Sequence, residues 1–120
     1  MHELSLAQSI VDIVQNAASA NGAGRVLTIG VRIGELSGVV VDSLTFCFTA
    51  ITAGTSLEGA ALRVDRIPVR AQCRECRALC EVENLVFLCP SCGSGNLEII
   101  AGRELQVSEI EVEDNPGEKL

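Results

Sequence analysis

Apolar residues recur at helical spacing near the start of the chain. Between Leu4 and Ala20 they fall three and four positions apart, with polar residues on the opposite side. The apolar set is Leu6, Ala7, Ile10, Val11, Val14, Ala17 and Ala18. Ser5 and Gln8 have the spacing of a capping box, and Asn21-Gly22 supplies residue types that end helices. We therefore predict one amphipathic helix from about Leu4 to Ala20.

The next two patterns predict a strand and a second helix. RVLTIGVRI alternates, with Leu27, Ile29, Val31 and Ile33 on one face, and the strand should end within residues 34–38. In DSLTFCFTAIT the apolar stripe is Leu44, Cys47, Phe48 and Ile51. Asp42 is the expected N-cap and Gly54 the expected end of this helix. Cys47 lies on the stripe, so we interpret it as a small core residue.

Two further apolar segments predict strands and complete the fold class. ALRVDRIPV changes phase between Val64 and Ile67, and Pro68 lacks an amide proton, so an edge strand or a bulge is expected. A strand, a long crossover containing a helix and another strand favour parallel neighbours. ELQVSEIEV alternates again. The prediction is an α+β protein with a small three-stranded mixed sheet and two helices, plus an inserted zinc-ribbon-like domain.

The predicted domain boundaries depend on whether the strand ELQVSEIEV pairs in the same sheet as the first strand. If it does so, residues 70–96 form the insertion, and residues 1–69 and 97–120 form the α/β body. The chain has 120 residues, of which 48% are apolar but only three are aromatic. A chain of this size supports one aliphatic core and a small second module that needs outside help to fold.

Charge narrows the classes of partner. The net charge of −7 repels phosphate backbones, so nucleic acid is not an expected partner. No apolar stretch is long enough to span a bilayer and no leader pattern is present, so we expect no membrane contact and a cytoplasmic location. In a reducing cytosol the six cysteines would remain thiols that can bind metal.

Four of these cysteines have the spacing of a metal site. Cys73 and Cys76 form one C-x-x-C pair, Cys89 and Cys92 form another, and twelve residues separate the pairs. Two such knuckles can place four sulfurs around one tetrahedral Zn²⁺ at about 2.3 Å. Disulfides, an iron–sulfur cluster and rubredoxin-like iron are the alternatives. Cys80 could offer a fifth sulfur, but its spacing fits neither knuckle.

The zinc interpretation carries two further expectations. EVENLVFL, between the knuckles, should supply a strand. With four sulfurs bound, the ion has no open coordination position, so its role is structural and the protein is not expected to be a zinc enzyme.

The amino terminus offers a different kind of ligand set. His2, the only histidine, follows the free α-amino group of Met1. The Met1 amine and the His2 amide nitrogen can close a five-membered chelate ring, and the His2 ring Nδ1 can close a six-membered one. The Glu3 amide nitrogen is the expected fourth donor. Four nitrogens in a plane suit Ni(II) or Cu(II) rather than Zn²⁺, with Cu(II) binding more tightly. From the residues alone, a histidine at position two is more often an ordinary terminal residue than a ligand.

These features together resemble the HypA/HybF family of nickel-insertion accessory proteins of [NiFe]-hydrogenase maturation. The resemblance extends from MHELSLAQSIV through VRIGELSGVVVDSLTF to the two knuckles and LQVSEIEV. It implies nickel ligation by His2 through its ring and backbone, by Met1 through its amine and by Glu3 through its backbone. The four cysteines would hold zinc. Asp42 and Glu35 are acidic groups that we expect near the nickel, with a helix cap as the alternative role of Asp42 and a turn residue as that of Glu35.

The family also implies a function and partners. The protein would be a nickel metallochaperone that receives Ni(II), with a nickel-associated maturation GTPase as partner, and delivers it to the [NiFe]-hydrogenase large-subunit precursor. It would not be an enzyme. The alternative is a zinc-ribbon module that binds a protein or nucleic acid and has no nickel role. Net charge and few aromatic residues speak against nucleic acid.

Overall fold

Two α-helices and six strands form in the part of the chain that the structure, a computed structural model, describes: residues 2–22 and 24–113. In chain order they are α1 (Glu3–Ala20), β1 (Val26–Gly34), a 3-10 turn (Glu35–Ser37), α2 (Val41–Thr52), β2 (Ala61–Ile67), β3 (Val69–Cys73), β4 (Leu79–Val82), β5 (Leu97–Ala101) and β6 (Leu105–Val112).

The strands form two small sheets. The first is mixed, with the order β2-β1-β6, so the last strand returns to the sheet of the first, as predicted. The second has the order β4-β3-β5 and is antiparallel, with Ala71 opposite Cys80 on one side and Ile99 on the other. The predicted α+β class is confirmed.

The chain divides into two compact units. The first contains residues 1–31, 39–65 and 106–120, and the second contains residues 32–38 and 66–105. The second unit includes the whole predicted insertion, residues 70–96, and extends beyond it at both ends.

Helix α1 buries the predicted face. Ala7, Ile10, Val11 and Val14 are buried, at the spacing of a single helical stripe. The helix begins at Glu3, with His2 as the N-cap residue and no side-chain cap, so the predicted capping box is wrong. The Gln8 amide instead donates to Asp12, one turn along the helix. The helix ends before Asn21, as predicted.

Helix α2 buries Leu44 and Phe48, and it ends at Thr52, shortly before Gly54. Cys47 is half-buried. The predicted N-cap is wrong, because the cap position is occupied by Val40 and Asp42 lies inside the first turn. The amide of Val40 donates to the Glu3 carboxylate, which lies outside α2.

The first sheet has the predicted core face with one exception. Ile29, Val31 and Ile33 of β1 are buried, but Leu27 is 37% exposed. Strand β2 is an edge strand, as predicted, because among the described strands it pairs with β1 alone. Arg63 of β2 pairs with Glu109 of β6 on the far side of β1.

The second unit has its own small core. Val69, Ala71, Cys80 and Val82 form a buried cluster, against which three half-buried residues pack: Leu36, Leu97 and Ile99. Strand β4 ends at Val82, so the strand predicted for EVENLVFL is wrong beyond its first two residues. Asn84 and Leu85 adopt left-handed backbone conformations that turn the chain away from the sheet.

Gly34 brings residues 32–38 into close contact with the rest of the second unit. Its amide donates to the carbonyl of Glu104, and the Leu36 amide donates to the carbonyl of Gly102. A Cβ at position 34 would lie 2.1 Å from the Gly102 carbonyl carbon and oxygen. Because that contact is with backbone, the close approach requires glycine at position 34.

Candidate metal centres

The four predicted cysteine ligands lie together in the second unit. Their sulfur atoms all lie within 4.8 Å of one another, and they form the one such cluster of His, Cys, Asp or Glu side chains among the described residues. Cys73 and Cys89 are buried, whereas Cys76 and Cys92 are exposed. Each knuckle therefore contributes one inner and one outer thiol.

The two knuckles repeat the same backbone hydrogen bonds. The Cys73 amide donates to the carbonyl of Ala78, and the Cys89 amide donates to the carbonyl of Ser94. Four residues after each inner cysteine, the amides of Arg77 and Gly93 donate back to that cysteine's carbonyl. This shared geometry turns both C-x-x-C segments so that their thiols converge.

The sulfur separations fit a tetrahedral metal and not a disulfide. Cys73 Sγ lies 3.6 Å from Cys92 Sγ, and Cys76 Sγ lies 3.6 Å from Cys89 Sγ. Four sulfurs at about 2.3 Å from one Zn²⁺ are separated by about 3.8 Å, whereas a disulfide requires about 2.05 Å. Both close pairs join one knuckle to the other, as a single central ion requires.

Backbone amides prepare the inner thiols for ionisation. The pKa of Cys89 falls to about 6, first because the Cys92 amide donates to its sulfur. The pKa of Cys73 is lowered first by the Cys76 amide, whose nitrogen lies 3.5 Å from the sulfur. Hydrogen bonds to the thiolate favour the charged form, which is the form that binds metal.

The outer thiols show the opposite shift. In both Cys76 and Cys92, the amide two residues further along the chain acts to lower the pKa, but the facing sulfur of the other knuckle and burial raise it more. The pKa of Cys92 rises to about 12. Four thiolates therefore need a cation among them, and the donor set fits zinc.

The other two cysteines lie elsewhere. Cys80 is buried in the apolar cluster of the second unit, and Cys47 is half-buried on α2. Neither belongs to the four-sulfur cluster.

At the amino terminus, His2 is exposed and directly precedes α1. The Leu6 amide donates to the His2 carbonyl at 3.1 Å, which is the first hydrogen bond of the helix. The amides that precede Leu6 therefore have no carbonyl partner within α1. The Met1 amine, also a predicted ligand, lies outside the described residues.

The Glu3 side chain has a hydrogen-bond partner that the sequence alone does not predict. Its carboxylate accepts a hydrogen bond from the Val40 amide at 3.1 Å. That amide first, and the backbone amide of Glu3 itself second, lower the pKa of Glu3. The bond joins the start of α1 to the residue that caps α2. An acidic residue in the first turn of a helix was the available signal, but its partner lies 37 positions away.

The two acidic residues predicted near nickel do not form a side-chain cluster with His2 among the described residues. Asp42 is exposed in the first turn of α2, in the first unit. Glu35 begins the 3-10 turn, in the second unit.

Comparison with known families accounts for a four-cysteine cluster and an exposed His2 in the same chain. Residues 1–112 match the family model described as hydrogenase/urease nickel incorporation, metallochaperone, HypA. The chain belongs to the HypA family. The predicted resemblance is confirmed. The family is one of nickel metallochaperones in hydrogenase maturation. The family name describes no catalytic activity.

Relatives within the HypA family cover nearly the whole chain. The hydrogenase maturation factor HypA of Geobacter sulfurreducens is 44% identical over 113 residues, which are 94% of this chain and 100% of the relative. That of a Roseiflexus species is 40% identical over 119 residues, 98% of this chain and 97% of the relative.

Solved HypA structures share the fold. The solution structure of the nickel metallochaperone HypA from Helicobacter pylori has a TM-score of 0.65 at 24% identity and covers 93% of this chain and 97% of that one. A second HypA solution structure has a TM-score of 0.70 at 24% identity, with 93% and 96% covered. Neither helix described in this HypA-family chain combines the length and apolar character needed to cross a bilayer.

Proposed function

We propose that this protein binds Ni(II) at its amino terminus and delivers it to the [NiFe]-hydrogenase large-subunit precursor. The proposed ligands are the Met1 amine, the His2 amide nitrogen and ring Nδ1, and the Glu3 amide nitrogen. Residues 1–69 and 97–120 would form the nickel-binding domain. A nickel-associated maturation GTPase is the proposed partner in loading or release.

The observation that carries this proposal is the start of α1. His2 is exposed, and hydrogen bonding within the helix begins only with the Leu6 amide. A metal can therefore replace the amide protons of His2 and Glu3 without breaking a helical hydrogen bond. The chelate also uses no carboxylate, so the Glu3 side chain can keep its bond to Val40 while the Glu3 backbone binds nickel.

Planar nitrogen ligation suits the proposed cargo. Ni(II) accepts a square of nitrogens, whereas Zn²⁺ prefers the tetrahedron offered by the four thiols. The two metals would thus be sorted by geometry and donor type. Asp42 and Glu35 stay as predicted acidic neighbours of the nickel.

Zinc bound by Cys73, Cys76, Cys89 and Cys92 is the proposed structural ion of the domain at residues 70–96. The four thiols would fill its coordination sphere and leave no position for substrate. Binding supplies folding free energy to a segment whose own apolar cluster is small.

Calorimetric nickel titration of the untagged chain tests the proposal. Affinity in the micromolar range, about −8 kcal/mol, is expected for a carrier that must release its ion. His2→Ala should abolish binding because it removes the ring nitrogen, while zinc content remains one ion per chain.

Two variants act as controls for this titration. A residue added before Met1 should weaken binding, because it converts the terminal amine into an amide. Glu111→Gln, far along the chain on β6, should leave the affinity unchanged. Unaltered nickel affinity in His2→Ala would remove the amino terminus from the site.

A further inference from the structure

Four consecutive large apolar side chains are exposed between β4 and the second knuckle. We call these residues, 85–88, the apolar loop; Leu85, Val86, Phe87 and Leu88 are 61%, 55%, 38% and 55% exposed. Single exposed apolar residues are common, but contiguous ones mark surfaces that contact another molecule. The loop ends directly before Cys89, so the metal-bound knuckle would hold one end of it in place.

The backbone at Leu85 is unfavourable for a leucine. The Val86 amide donates to the Glu83 carbonyl at 3.0 Å, and Asn84 and Leu85 between them have φ of 53° and 58°. These features define a type I′ turn, in which glycine is preferred at the second central position. Leucine is strained there, and its side chain is not buried in return. A contribution to the stability of this chain therefore does not explain why a leucine occupies position 85.

Carboxylates surround the base of the loop. A pocket of about 360 Å³ has Leu85 on its wall together with Glu35, Glu81 and Glu83. The ion pairs of the described residues involve none of these three carboxylates. Arg70 lies opposite Glu81 in the sheet but forms no ion pair with it among the described residues. An apolar projection beside these carboxylates is complementary to a surface that is both aliphatic and basic.

We propose that the apolar loop and its acidic pocket dock a protein segment in which Lys or Arg stands beside aliphatic side chains. The aliphatic groups cover Leu85 and Val86, and the cation enters among the carboxylates of Glu81 and Glu83. A second copy of this chain is a poor occupant because its net charge is also −7. Anionic membranes are repelled for the same reason. This docking is independent of nickel binding.

Selection from a library of random short peptides, with the full-length zinc-loaded protein as bait, tests the proposal. Enriched peptides should combine Lys or Arg with Leu, Ile or Val. Leu85→Gly should weaken their binding roughly tenfold or more, as expected when one buried leucine is lost. The same substitution should leave thermal stability unchanged or higher, because it gives the turn its preferred residue.

Matched variants separate docking from folding. Leu79→Thr removes a leucine of equal exposure, 61%, from β4 of the same unit, and it should retain peptide binding. Val86→Ser leaves the two left-handed positions intact and should weaken binding as Leu85→Gly does. Glu81→Gln and Glu83→Gln should each weaken binding about threefold at low salt, and the difference should vanish in high salt.

Several results would overturn the proposal. Peptides that bind Leu85→Gly as well as the original chain would place the contact elsewhere, and enrichment of acidic peptides would contradict the charge argument. Dimerisation that Leu85→Gly abolishes would assign the loop to a second copy. Loop-dependent sedimentation with phosphatidylcholine vesicles would assign it to a lipid surface.

Discussion

Arg77 and Gly93 occupy equivalent positions in the two knuckles, but only one of them suits its backbone. Both have left-handed φ, 64° for Arg77 and 78° for Gly93, and both amides donate to the carbonyl of the cysteine four residues earlier. A side chain in this region crowds the adjacent carbonyl, whereas glycine does not. The first knuckle therefore stores strain that the second one lacks.

Arg77→Gly should stabilise the zinc-loaded second unit. Relief of the left-handed strain, about 1–2 kcal/mol, exceeds the entropy that glycine adds to the unfolded chain, about 0.4–1 kcal/mol. Denaturant unfolding followed through amide signals of residues 66–105 measures the difference.

Glu75→Gly is the matched control within the same knuckle. Glu75 is exposed and is not among the described residues with positive φ, so glycine should destabilise there by about 0.5–1 kcal/mol. Equal signs for the two substitutions would show that Arg77 is not strained.

At the scale of the elements, the periodic segments were predictable and their ends were not. Both helices and β1 follow from apolar spacing, because the same spacing determines which residues each element buries. The expected cap at Asp42 failed because α2 already begins at Val41. The amide of the actual cap residue, Val40, donates to Glu3 of α1, a contact between residues far apart in sequence. EVENLVFL has the composition of a strand, but the turn at Asn84 and Leu85 ends the pairing.

The bond between Glu3 and Val40 predicts a pH dependence. Donation by the Val40 amide holds the pKa of Glu3 below its ordinary value of 4.5. The carboxylate therefore adds stability above the unfolded pKa, and this contribution is lost as pH falls through the lower folded pKa. Glu3→Gln should be less stable than the original chain at neutral pH, and the gap should close in acid below pH 4.5.

Chemical denaturation of the first unit at several pH values measures that gap. Glu111→Gln is the control, because the Glu111 carboxylate makes no hydrogen bond or ion pair within the described part of the chain. A gap between Glu3→Gln and the original chain that stays constant from neutral pH into acid would contradict the role assigned to the Glu3 carboxylate.

At the scale of the whole molecule, two kinds of metal site are proposed at two places in the chain. The cysteine quartet was predictable because its ligands are side chains whose spacing is written in the sequence, and the structure brings all four together. The proposed amino-terminal ligands are mostly backbone nitrogens, which every residue possesses. Neither the spacing of residues nor a cluster of side chains can reveal a site made of backbone nitrogens. The proposed nickel site therefore rests on His2 and on the family.

X-ray absorption at the nickel edge of the untagged, zinc-loaded chain tests the central claim most directly. With one equivalent of Ni(II), we expect a planar first shell made only of nitrogen, including the multiple scattering of one imidazole. The chain extended before Met1 should lose this spectrum. Sulfur in the nickel shell, or the absence of imidazole scattering, would contradict the amino-terminal site.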